Sequence, residues 1–220
     1  MVEKIDLYDI TTAMLHGVLF LAYTFFLFPQ IIVEMKGVEL PEVVIVIVFI
    51  AITYFCGQVL SAIASMMQRF LDWSWGGKPS DIVMDKRDGC GYISCSAIDR
   101  AITMLKNNCG GDTSNRSLFN AAIVIARSSA SSLTERHNRM YAYYRVCFVN
   151  LLLCIVSFFL SCSCGRGHGM AWSTRIVSVL TLLLLITLHW IRAKQRAFYF
   201  VREVLFVATR ELTKGDQNGV

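Results

Sequence analysis

Charge is what this sequence has least of. Asp, Glu, Lys and Arg make up 17% of the chain and apolar residues 55%, and the apolar residues stand in blocks instead of at helical or strand spacing. That pattern excludes an ordinary soluble core and indicates a membrane protein. Within the blocks the scarcity is complete, for no Asp, Glu, Lys or Arg lies deep in any of them. A proton-coupled or ion-coupled pump would normally carry one.

Other signatures are missing too. There is no internal repeat, and the two apolar pairs have connections of different length, so the symmetry of inverted-repeat transporters is absent. GGKPSD (76–81) lacks the G-x-x-x-x-G-K-[ST] frame and a preceding strand. Neither a paired carboxylate site nor a Ser-His-Asp set can be drawn. Enzyme activity is therefore not expected, and no catalytic, cofactor-binding or metal-binding residue is assigned.

What is present is length in the apolar blocks. A bilayer core about 30 Å thick needs roughly 20 apolar residues in a helix, and 13–33, 43–64, 146–163 and 176–191 approach this. The first does not read as a cleavable signal. Glu3, Asp6 and Asp9 outnumber Lys4, and the run ends in FPQIIVEMKG without a small-x-small site.

Orientation follows from the Lys/Arg bias near the spans. The connection 34–42 has one basic residue, Lys36, whereas 67–143 has ten and the tail beyond Trp190 has six. This predicts a membrane protein with the long connection and both termini in the cytoplasm. Arg166 and Arg175, in SCSCGRGHGMAWSTR, point the other way.

The expected organisation is a transmembrane hairpin over 1–66, a cytoplasmic helical insertion over 67–143, a second hairpin over 144–192 and a cytoplasmic helix and tail over 193–220. The second span continues through Arg69, Trp73 and Trp75 before GGKPSD breaks it, and 76–95 reads as a loop. SAIDRAITMLKNN (96–108) puts Ile98, Ala101, Ile102 and Leu105 on one face, with Ser96 as cap and Asp99 as its capping-box partner. From about 115 to 162 the simplest reading is a single helix entering the third span. The fourth span continues through 192–212, where Phe198, Val201, Val204 or Ala208, and Leu205 form a stripe opposite Arg196, Arg202 and Arg210.

The stretch ERHNRMYAYYRVCFVNLLLCIV (135–156) invites a catalytic reading. Small helical ribonuclease modules place Arg and His four to six residues apart, but Arg127 is too far from His137 and Arg136 is adjacent to it. The membrane-junction reading explains more residues. Arg136, Arg139 and Arg145 meet anionic headgroups at about 1 kcal/mol each, and Tyr141, Tyr143 and Tyr144 suit the interface. A nucleic-acid or partner surface remains open, with Arg127, Arg136, His137, Arg139, Arg145, Arg196 and Arg202 as contact residues.

Four polar residues, His16, Gln58, Asn150 and His189, lie in or near span ends and should face another helix or a wet lumen. Interhelical hydrogen bonds are the plainer account, a conducting path the sharper one. Gly57, Ser61 and Ser65 form a small-xxx-small ladder for packing within the chain or between copies. Of the eight cysteines, Cys56, Cys147 and Cys154 read as packing residues. Cys90, Cys95 and Cys109 lack paired C-x-x-C spacing, leaving open only a three-Cys site completed by His137. Cys162, Cys164 and His168 lie at the outer end of the third span, where oxidation is permitted.

The layout, with the ARSSASSLTERHNRMYAYYR-to-span junction, resembles accessory membrane proteins of prokaryotic immune systems. The nearest are the membrane component of Kiwa-type anti-phage defence and the membrane accessory proteins beside RNA-targeting CRISPR nucleases. The resemblance implies a homo-oligomer in the inner membrane, a tetramer or larger, that senses infection or perturbs the membrane with a soluble cytoplasmic partner handling nucleic acid. The family's Arg/His pair does not carry over to this chain. The expectation is an all-α integral membrane protein with four transmembrane helices and a helical cytoplasmic subdomain.

Overall fold

The computed structural model describes residues 7–30, 41–85, 93–108, 114–129, 132–163 and 172–218. Every regular element among the described residues is helical: α1 (Leu7–Leu27), α2 (Glu42–Met66), α3 (Gln68–Ser74), α4 (Pro79–Met84), α5 (Cys95–Asn108), α6 (Asn115–Ser128), α7 (Ser132–Ser163) and α8 (Trp172–Asn218). The chain divides into two units, Met1–Gln68 with Tyr143–Trp190 and Arg69–Ala142 with Ile191–Val220. Glu42–Met66, Leu133–Ser161 and Trp172–Lys214 are each long and apolar enough to cross a membrane, while Asp9–Phe25 is a shorter apolar stretch.

In the first unit many large apolar side chains face outward. Phe55 on α2 is 68% exposed and Val177 on α8 61%, an arrangement water penalises and lipid does not. The buried faces carry mostly small and polar residues: Ala13, His16 and Gly17 on α1, and Thr53, Gly57 and Ala64, together with Leu60, on α2. Gly57 explains the closeness of α1 and α2, because a Cβ there would stand 1.9 Å from the Ala13 carbonyl oxygen. At Gly17 a Cβ would stand 1.8 Å from the Thr53 carbonyl oxygen. Two small residues, one from each helix, thus let the backbones meet.

The second unit has a conventional apolar core. Val83 and Met84 of α4, Ile98, Ala101 and Leu105 of α5, and Leu118, Phe119, Ala122 and Ala126 of α6 bury against the Phe198, Val201, Val204, Leu205 and Ala208 stripe of α8. Ser114 caps α6 by accepting from the Ser117 amide at 3.3 Å. The turn after α3 needs its glycines, since Gly76 (φ 90°) and Gly77 (φ 140°) occupy left-handed backbone.

Several boundaries differ from the sequence reading. α1 begins at Leu7 and ends at Leu27, just before Phe28-Pro29, because the proline ring disfavours helical backbone in the residue before it. The second span does not run unbroken to Trp75. α2 stops at Met66, where Ser65 Oγ bonds back to the Ser61 carbonyl at 3.0 Å and Met67 turns the chain into α3. The expected single helix over 115–162 is two helices. At the break, Ser128 and Ser129 turn their hydroxyls onto the Ile125 and Ala126 carbonyls, competing with the backbone ladder. α5 starts at Cys95, so Ser94, not Ser96, stands at its N-cap. The expected loop over 76–95 contains α4, begun by Pro79 at its first position.

Candidate functional site

The first unit gathers polar groups around His16. Its side chain is 1% exposed, with its ring 5.1 Å from that of Tyr143, which meets Tyr144 at 5.5 Å; Tyr144 in turn lies 6.0 Å from His189. Asn150 donates a long 3.4 Å bond to the His16 carbonyl. His189 Nδ1 stands 2.8 Å from the Leu185 carbonyl, and since a carbonyl only accepts, that nitrogen carries the proton. Three of the four polar residues singled out in the apolar runs, His16, Asn150 and His189, therefore join one aromatic and polar node, whereas Gln58 is exposed.

The node has polar atoms to spare. Both ring nitrogens of His16, Thr53 Oγ1 and Asn150 Oδ1 are buried without a hydrogen-bond partner. Each such group costs about 1–3 kcal/mol if it stays dry, and a buried water typically bridges two to four of them. Tyr23 closes the packing at another level, its hydroxyl donating to the Cys154 carbonyl at 2.7 Å.

Of the small-residue ladder, Gly57 is buried against α1, Ser61 is half-buried and Ser65 is exposed. Arg145 reaches this edge, bonding Gln68 Oε1 at 2.8 Å and Ser65 Oγ at 3.3 Å. Sequence reasoning missed Ala13, Gly17 and Thr53. The signal was there as Ala13-xxx-Gly17 and Thr53-xxx-Gly57, two small-xxx-small pairs that fit each other.

The junction stretch is divided between the units, with Tyr141 in the second and Tyr143, Tyr144 and Arg145 in the first. Tyr141 packs on the buried Trp75, ring centroids 6.2 Å apart. His137 Nδ1 lies 3.5 Å from Arg196 Nη1, and its ring is 5.8 Å from Tyr199, over which Arg202 sits at 5.5 Å. His137, Arg196 and Arg202 are thus one cluster, joined by α7 and α8 and invisible to a search for sequence neighbours. Partial burial, then the Arg196, Arg136 and Arg202 guanidiniums, hold the His137 pKa below its ordinary value. Arg139 pairs with Glu135 one turn back. Arg127, at the end of α6, and Arg136 are exposed.

Cys56, Cys95, Cys147 and Cys154 are free thiols. Cys90, Cys109, Cys164 and His168 lie outside the described residues, as does the side chain of Cys162. Among the described residues no group of three His, Cys, Asp or Glu side chains is placed to hold a metal.

Fold and site together define an all-helical protein with three helices fit to cross a membrane and a separate helical unit rich in arginine. No protein-family model matches the chain, and neither a curated protein nor a solved structure matches it.

Proposed function

We propose that the chain is a four-span protein of the inner membrane, with its termini and second unit in the cytoplasm. It acts there without catalysis, as an oligomeric sensor or effector of the anti-phage kind its layout resembles. α1, 21 residues long with its apolar stretch over Asp9–Phe25, supplies the fourth and shortest span. The ten and six basic residues of 67–143 and the tail support the orientation.

The observation that carries the reading is the continuity of α8. One helix, Trp172–Asn218, holds a membrane-length apolar stretch and also the Phe198–Ala208 stripe that completes the second unit's core. Whatever shifts that stripe acts on a helix without a breaker between the two segments. A cytoplasmic ligand or soluble partner is thereby coupled to the bilayer.

A second reading, a small channel or transporter, draws on the unpartnered groups around His16, which suit a wet path. Reconstitution separates the two. Purified protein in liposomes holding a potassium-sensitive dye is expected to be silent, and constitutive selective flux abolished by His16→Leu would overturn the sensor reading in favour of the channel.

A further inference from the structure

We infer that the second unit binds single-stranded nucleic acid in an open groove between α5 and α8. The groove encloses about 340 Å³ and is lined by Arg100, Phe206, Thr209, Arg210, Thr213 and Lys214. A smaller cavity of about 170 Å³, also bordered by Arg100 and Phe206, extends it to Arg202. Arg100, Arg210 and Lys214 thus line the groove together with Phe206, and Arg202, whose guanidinium sits over the Tyr199 ring, borders the smaller cavity. No Asp or Glu among the described residues lines either cavity; Glu211 reaches Lys214 at 2.9 Å, an exposed pair that an incoming phosphate readily displaces.

Phe206, which borders both cavities, is 66% exposed. A bare ring flanked by arginines is the platform on which bases stack irrespective of sequence. The order along α8 decides what kind of ligand fits. Arg202 lies one turn before Phe206 and Arg210 one turn after, about 6 Å along the axis in each direction. A base on the ring thus has Arg210 one turn on and, one turn back, Arg202, which rests over Tyr199 until a phosphate draws it away. A strand has a phosphate on both sides of each base, whereas a free nucleotide has phosphates on one. The open groove suits a chain passing through, and a small ligand would instead want an enclosed pocket.

Binding rests on the groove alone, while any consequence in the membrane rests on the sensor reading, so binding is measured first and without a bilayer. The full chain in detergent is titrated with a fluorescent 12-mer of uridylate at several salt concentrations, against ATP and poly-glutamate as competitors. The 12-mer is expected to bind with a log–log salt slope of about −3 for four phosphate contacts. Arg210→Gln should reduce that slope by about 0.7, and Phe206→Ala should weaken binding roughly five- to hundredfold with the slope unchanged. Both side chains are exposed, and helix content by circular dichroism checks that the variants fold. The proposal is overturned if Phe206→Ala binds like the parent, if poly-glutamate of equal charge competes as well as unlabelled 12-mer, or if ATP binds as tightly. Silent liposomes in the presence of bound 12-mer would count against the sensor reading and leave the site standing.

Discussion

Gly57 shows how much one missing methyl group decides. Because its Cβ would stand 1.9 Å from the Ala13 carbonyl oxygen, a side chain there must push α1 away. Gly57→Leu is expected to destabilise the detergent-solubilised protein by at least the upper end of the about 1–3 kcal/mol that overpacking costs. Ser61→Leu, half-buried, should cost about 1 kcal/mol or less. Thermal unfolding followed by circular dichroism checks both, and equal midpoints would remove the glycine contact as the reason for the pair. The ladder Gly57, Ser61, Ser65 was legible as small residues at fourfold spacing. Its partner was not, because the buried face drifts to Thr53, Gly57, Leu60 and Ala64 as helical periodicity requires. His137 carries a second residue-scale prediction. Its folded pKa lies below the unfolded value of about 6.5, so on acidification the unfolded chain takes up the proton first. Its contribution is complete above the unfolded pKa and is lost as pH falls below it. The midpoint should drop between pH 7.5 and 5.5, and His137→Gln should flatten that dependence.

At the scale of elements, α8 was the most legible and α6–α7 the least. The sequence from Trp172 to Lys214 has no Gly or Pro and keeps an apolar stripe to Ala208, and the helix runs on through Gly215 to Asn218. The run RSSASS also lacks Gly and Pro, yet the helix stops in it, since Ser hydroxyls compete for the carbonyls that a helix needs. Propensity rules read such serines as mildly unfavourable; only their number in succession signals a break. The continuity of α8 is tested by Lys194→Pro. Proline there removes one ladder bond and clashes with the preceding turn, costing about 3 kcal/mol. We expect faster trypsin cleavage after Arg192 and Arg196 in the detergent-solubilised variant, and an unchanged cleavage rate would mean the helix is already open there.

For the molecule as a whole, composition indicated an all-helical membrane protein before any helix was placed, and the three long apolar helices agree. The buried polar residues were visible as exceptions inside apolar runs. That His16, Asn150 and His189 share one node, and that Arg196 is the arginine beside His137, depends on contacts between residues 45 to 134 positions apart. Nothing local in the sequence carries such information. The central claim, a multi-span protein with its arginine-rich unit in the cytoplasm, is tested by trypsin on native membranes with the peptides read by mass spectrometry. In inverted inner-membrane vesicles, cleavage is expected after Arg100, Arg127 and Arg210, whereas intact spheroplasts should protect all three. Cleavage after these residues in intact spheroplasts, or their release into the soluble fraction without protease, would contradict the account.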